Sequence, residues 1–162
     1  MGGDFLGRIE KSIEIEVPPE KVWEMLAFDR LPEWDEGFGE NVEYTSEVQT
    51  PKDKYRVGAI AQGIPKKAED NYCRFEIIES VENEKMKWYA WEKPKYLGIF
   101  SMFITYSLEP VGTNTNFTYE LESDKYGVFG IFGKLLEKLY FRRMVKKQIE
   151  KALENLKIIL EK

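Results

Sequence analysis

Residues 9–23 read Ile9-Glu10-Lys11-Ser12-Ile13-Glu14-Ile15-Glu16-Val17-Pro18-Pro19-Glu20-Lys21-Val22-Trp23, and the change of period inside this stretch decides the fold. Ile9, Ile13, Ile15 and Val17 alternate with polar neighbours, which marks a strand with one apolar face. Lys11 interrupts the inward series, so the strand is expected to enter the core near Ile13. Pro18-Pro19 ends it. Proline suits the first turn of a helix and Glu20 suits its positive end. Val22, Trp23, Met25 and Leu26 then predict a short amphipathic helix to about Phe28. A second short helix or turn follows at Leu31-Pro32-Glu33-Trp34-Asp35-Glu36, closed by Gly37 and Gly39.

Downstream the period stays at two. Strands are predicted at 41–48, 56–63, 71–81, 85–92, 99–109 and 115–123. Turn chemistry separates them at Pro51-Lys52-Asp53, Pro65-Lys66-Lys67, Glu82-Asn83-Glu84, Pro94-Lys95 and Pro110-Val111-Gly112. Met86, Trp88 and Ala90 share one face, as do Met102, Ile104, Tyr106 and Leu108, and again Phe117, Tyr119 and Leu121. The last element switches to helical period from about Val128 to Leu160, roughly 45–50 Å if straight. Its apolar stripe is Val128, Phe132, Leu135, Leu136 and Leu139, then Val145, Ile149, Ala152, Leu153, Leu156 and Leu160. The stripe rotates near 140–145, where a bend is expected and where Arg142 occupies the continuing face.

The order is strand, two short helices, six strands, long helix, in 162 residues, 43% of them hydrophobic and 14% aromatic. That length fits one domain, 1–162, able to build its core without metal or disulfide. With a single cysteine, Cys73, no internal disulfide can form, and a cytoplasmic setting is the simple reading. No secretory signal is visible at Met1–Leu6, and no run approaches the ~18 apolar residues of a membrane span. The net charge of −5 is uneven. Lys134, Lys138, Arg142, Arg143, Lys146, Lys147 and Lys151 face only Glu137 and Glu150, a basic stripe on an acidic body. It is read as a solvated helix face.

This order and four stretches within it resemble the START-related helix-grip superfamily of polyketide cyclase/dehydrase and lipid transport proteins, which includes the major birch pollen allergen. The stretches are residues 13–23; Leu31-Pro32-Glu33-Trp34; Tyr106-Ser107-Leu108-Glu109-Pro110 with Gly112-Thr113; and Leu153 to Glu161. The likeness covers about residues 8–161. It implies an α+β fold: a seven-stranded curved antiparallel sheet wrapped around a long C-terminal helix, with an apolar tunnel between them. Members bind lipids, sterols, polyketides or plant hormones, and a minority are enzymes.

The chemistry narrows the choice. There is no histidine, which removes Ser-His-Asp and Cys-His arrangements and histidine-dependent zinc sites. No catalytic residue, metal or cofactor is expected. Asp29, Glu33, Asp35, Glu36 and Glu40 match no calcium loop and read as surface charge. Gly127, Gly130 and Gly133 before Lys134 lack phosphate-loop spacing.

A ligand-binding interior is expected from Phe75, Ile77, Trp88, Ala90, Met102, Ile104, Tyr106, Phe117 and Tyr119 on the sheet. Phe132, Leu135, Leu136 and Leu139 face it from the helix, and Trp34 and Phe38 guard its mouth. Arg142 is expected to meet an inward carboxylate, meet a ligand anion, or snorkel to water. The first reading is a carrier of a small hydrophobic ligand or lipid. A cyclase- or dehydratase-like enzyme, using a carboxylate such as Glu92 with Tyr106 or Tyr119, is the alternative. A protein-binding module docking on the basic stripe is the third. Phe129, Tyr140 and Phe141 beside basic residues suit peripheral membrane contact or a dimer contact. Nucleic acid is not expected as a partner.

Overall fold

The structure, a computed structural model, describes residues 7–38, 42–63, 73–92, 100–125 and 131–162, with side chains described except at 92, 100 and 124–141. Strand β1 (Arg8–Ile15) is followed by helix α1 (Pro19–Glu24), 3-10 turns at Phe28–Glu33 and Glu36–Phe38, and β2 (Val42–Tyr44). A 3-10 turn at Pro51–Tyr55 leads to β3 (Ile60–Gly63), β4 (Cys73–Val81), β5 (Lys85–Glu92), β6 (Phe100–Val111), β7 (Asn114–Lys125) and helix α2 (Ile131–Leu160). The strands form one antiparallel seven-stranded sheet in the order β1-β7-β6-β5-β4-β3-β2. The expected α+β helix-grip architecture is therefore present.

The hairpins follow turn chemistry. Val111 pairs with Asn114, leaving Gly112-Thr113 as a two-residue loop with Gly112 at φ +62°. A positive φ at the first central position is the type II′ requirement, and it matches the twist of the flanking strands. This carries β6 to Val111, past the predicted end at 109. Between β4 and β5, Asn83 takes φ +64° in a three-residue loop.

Several predicted boundaries move for local reasons. Ile9 is buried opposite Leu121, so β1 enters the core there and not at Ile13, which is only half-buried. Lys11 does point inward. It stands opposite Tyr119 in the ladder, and its ammonium meets Glu150 of α2 at 2.7 Å. Helix α1 stops at Glu24 because the Met25 carbonyl accepts the Trp34 indole N–H, 3.0 Å, and Ala27 turns to extended backbone. Strand β2 ends at Tyr44 because Thr45 and Ser46 both donate to the Ile60 carbonyl. Strand β3 begins only at Ile60, after Gly58 turns at φ +87°. Residues 51–55 wind into a 3-10 turn, where Asp53 Oδ2 accepts from the backbone of Gln49 and Thr50 and from the Thr50 hydroxyl. These bonds hold the Asp53 carboxyl below its ordinary range.

Helical backbone runs through 140–145 without interruption. The second half of α2 carries the predicted stripe, with Val145, Ile149, Ala152, Leu153 and Leu156 buried. It is tied at both flanks. Lys157 donates to the Glu14 carbonyl at 2.7 Å, Asn155 to the Trp34 carbonyl at 3.3 Å, and Lys151 pairs with Glu36 at 2.8 Å.

Candidate functional site

The concave face of the sheet carries an aromatic cluster laid out by register. Tyr119 pairs with Tyr106, and Tyr106 with Met86. One row along, Leu121, Ile104, Trp88 and Ile77 follow across four strands. In the next row Met102 meets Ala90, and Ala90 meets Phe75. All of the predicted sheet residues therefore share one face. Trp88, Tyr106 and Phe117 have no exposed surface, and Phe75, Ile77, Ala90, Ile104 and Tyr119 are buried. Met102 is half-buried. Phe132, Leu135, Leu136 and Leu139, Glu92 as a side chain, Phe129, Tyr140 and Phe141, and the glycine run 127–133 lie outside the described residues.

Trp34 does not guard a mouth. It is 1% exposed, inserted between the short turns and the sheet, with its ring 5.7 Å from Tyr106, 6.2 Å from Phe117 and 6.4 Å from Tyr119. Its indole N–H is satisfied by Met25, so the large ring can be buried without a polar penalty. Phe38 is the rim residue: half-buried, 5.3 Å from both Phe75 and Trp88. Phe28 lies behind it, edge-on to Trp88 at 5.6 Å.

Asp35 is the second correction. It is not surface charge but 1% exposed, because Trp34 beside it is pulled into the core. Its Oδ1 accepts from the Gly37 backbone N–H at 2.9 Å, and its Oδ2 from the Tyr119 hydroxyl at 3.1 Å. Gln148 of α2 adds a side-chain contact. A Cβ on Gly37 would stand 1.8 Å from Gln148 Nε2, so glycine leaves the room this amide fills. Burial pushes the Asp35 carboxyl above its ordinary range, against the pull of those bonds. Burial likewise pushes both Tyr106 and Tyr119 well above the ordinary phenol value, with the Asp35 charge adding to it. The sequence signal for Asp35 was faint, since a charged residue in a run of acids reads as solvated. The flanking Trp34 and Gly37 were the only hint.

Two polar atoms in the cluster are sealed with no hydrogen-bond partner among the described residues. These are Trp88 Nε1 and Tyr106 Oη, on rings 6.0 Å apart. The Tyr106 and Tyr119 rings stand edge-to-face at 5.0 Å. Their hydroxyls lie near enough to act on each other's ionisation, but among the described residues no contact of hydrogen-bonding geometry reaches the Tyr106 hydroxyl. Buried orphans of this kind are uncommon in native proteins and each calls for an explanation.

Other features lie elsewhere. A surface cleft of about 390 Å³, lined by Glu24, Arg30, Thr50, Lys54 and Tyr55 among others, sits on the outside of the short helices. Its cations are already engaged, Arg30 by Glu33 and Lys54 by Asp29. Among the described residues no group of three or more Cys, Asp or Glu side chains is placed to hold a metal. No described helix is long and apolar enough to cross a membrane. Arg142 is half-buried, and its guanidinium lies 3.5 Å from where a Cβ on Gly7 would stand.

Known proteins complete the picture. The family model for polyketide cyclase / dehydrase and lipid transport matches residues 7–161. No curated protein matches the chain. Among solved structures, the Zhui aromatase/cyclase from a Streptomyces species superposes with a TM-score of 0.67 at 14% identity, covering 95% of this chain and 93% of that one. A Chromobacterium violaceum protein gives 0.66 at 15% identity over 96% and 98%. DynU16 of the dynemicin biosynthetic locus gives 0.63 at 13% identity, over 95% of this chain and 47% of its own. At such identities the likeness is one of fold.

Proposed function

We propose, from the premise that this chain belongs to the polyketide cyclase / dehydrase and lipid transport family, that it binds a small, largely apolar ligand between sheet and C-terminal helix. The observation that carries the reading is the pair of sealed polar atoms, Trp88 Nε1 and Tyr106 Oη, in a face otherwise built of rings and aliphatics. A ligand with one polar end would satisfy them while its apolar body replaces water elsewhere in the interior. In this proposal Trp34, Phe75, Ile77, Trp88, Ala90, Ile104, Tyr106, Phe117 and Tyr119 form the floor. Met102 and Phe38 are the adaptable rim; Arg142, and Phe132, Leu135, Leu136 and Leu139 outside the described residues, are the candidates from α2. The described floor is closed, so entry requires the rim to move: Phe38, whose ring rests on Phe75 and Trp88, and Met102, a flexible thioether.

Native mass spectrometry of the purified protein tests this. A co-purifying apolar molecule, lost or weakened in Trp88→Phe with Tyr106→Phe, is the expected result. A bare protein that also takes up no fatty ester or sterol on incubation overturns it.

Asp35 hydrogen-bonded to Tyr119 favours a second reading, a cyclase- or dehydratase-like enzyme in which a buried carboxyl and a phenol move protons. Turnover of a flexible poly-β-ketone thioester, abolished in Asp35→Asn while the fold persists, would establish it. Absence of any product would eliminate it.

A further inference from the structure

We infer that the last turns of α2 guard the free edge of β1 against strand addition. Lys157 and Glu161 occupy backbone groups beside that edge, and Lys11, held by Glu150, stands against the strand whose charges fit it, a second copy of β1.

Among the described residues β1 lies at one end of the sheet and pairs with β7 alone. Gly7 turns its carbonyl toward β7, where it accepts from the Ser123 N–H at 3.3 Å. Bonding alternates along an antiparallel ladder, so the odd-numbered residues of β1 bond to β7, and Arg8, Glu10, Ser12 and Glu14 turn N–H and C=O outward. All of these are exposed. A row of this kind is a template for another strand. The helix reaches it from the side. The Glu14 carbonyl accepts from Lys157 Nζ at 2.7 Å, and just past the strand the Glu16 N–H donates to Glu161 Oε1 at 2.8 Å. Lys157 and Glu161 pair with each other at 3.3 Å, one turn apart, so each holds the other in place. Farther up, Glu150 meets Lys11 at 2.7 Å. From Glu150 to Glu161 the helix rises about 16 Å, and from Lys11 to Glu16 the strand rises about the same. Helix and strand therefore run side by side in one direction, and successive turns meet successive stretches of the edge.

Charge names the strand that is kept out. Two β1 edges paired antiparallel about a two-fold axis at Lys11 bring together the residues whose backbone turns outward. Arg8 then stands opposite Glu14, and Glu10 opposite Ser12, so no like charges oppose each other on the solvent face. On the other face Ile9 stands opposite Ile13. The obstacle is at the axis, where Lys11 meets its own copy. Like charges directly opposite are destabilising, and an inward-pointing charge on an edge strand is a recognised device against strand addition. Glu150 keeps the Lys11 ammonium on that face. At each end of the same pairing the Glu14 carbonyl is already taken by Lys157. The pairing that charge favours is thus blocked at its axis and at both ends.

The test is sedimentation equilibrium on the full chain, with circular dichroism to check the fold. The wild type is expected to show no β1-dependent dimer up to about 1 mM, the weak end of specific association. The triple variant Lys11→Thr, Lys157→Met and Glu161→Ala should dimerise with a dissociation constant at least about tenfold lower. Adding Arg8→Glu to the triple variant sets Glu against Glu14 at both ends of the pairing and should weaken the dimer by about tenfold. Adding Glu14→Arg as well should restore it. If the triple variant does not fold, Lys157→Met with Glu161→Ala, both changes at the surface, should still lower the constant measurably. Triple-variant protein that stays monomeric overturns the inference. So does a dimer indifferent to Arg8→Glu, which pairs elsewhere, and so does a wild-type dimer that Ser12→Pro breaks, because its edge is then unguarded.

Discussion

Two tyrosines on neighbouring strands, ring to ring at 5.0 Å, should respond to the same one-atom deletion with opposite signs. Tyr119→Phe removes a hydroxyl that donates to the buried Asp35 carboxyl. A hydrogen bond to a charged group contributes about 1.5–3 kcal/mol, and its loss leaves Asp35 less satisfied. Tyr106→Phe removes a hydroxyl that is fully buried and unpaired. An unsatisfied buried group costs about 1–3 kcal/mol, so deleting it should recover about that much. Both variants keep the ring, so no cavity contribution blurs the comparison.

For a chain of this size one kcal/mol moves the midpoint by about 2–4 °C. Tyr106→Phe is then expected to raise Tm by about 2–12 °C, and Tyr119→Phe to lower it by about 3–12 °C. The assay is urea unfolding at about pH 8 by tryptophan emission, on protein refolded from denaturant to strip any ligand, with calorimetry alongside. Equal m-values would show that the unfolded states match. Destabilisation of 1 kcal/mol or more by Tyr106→Phe would mean that this hydroxyl has a partner in solution, and the reasoning built on its isolation would be wrong.

Three further outcomes follow from the same geometry. Burial raises the Asp35 carboxyl, so the unfolded chain loses this proton first, and Asp35's contribution to stability falls as pH rises from about 4 through the folded value. Asp35→Asn should gain on the wild type across that window in urea titrations, and parallel curves would refute the assignment. Trp34→Ala removes a ring packed on Tyr106, Phe117 and Tyr119 and the clamp on Met25; a loss of about 3–5 kcal/mol is expected, and a loss under about 1 kcal/mol in calorimetry would contradict its place in the core. Phe38→Ala strips the rim from Phe75 and Trp88; stopped-flow uptake of methyl laurate should quicken several-fold at a stability cost of about 1–2 kcal/mol, and an unchanged rate would move the entrance elsewhere.

The alternation at Ile13-Glu14-Ile15-Glu16-Val17 and the switch at Pro18-Pro19, with the face patterns of Trp88, Tyr106 and Phe117, were enough by themselves to determine the element order, the α+β class and which side chains share the concave face. Periodicity is a local property, and local steric rules convert it directly into strand and helix. Strand ends were less legible, because they depend on partners: Thr45 and Ser46 leave the ladder only because the Ile60 carbonyl is placed to take both N–H groups. The candidate site divided the same way. Its rings could be named from the sequence, but the burial of Asp35, the satisfied indole of Trp34 and the orphaned hydroxyl of Tyr106 could not. Each depends on which atoms from distant parts of the chain arrive within about 3 Å, the reach of a hydrogen bond. A carboxylate between Trp34 and Glu36 is solvated or buried according to where Tyr119 and Gln148 come to rest, and only the tertiary structure brings them there.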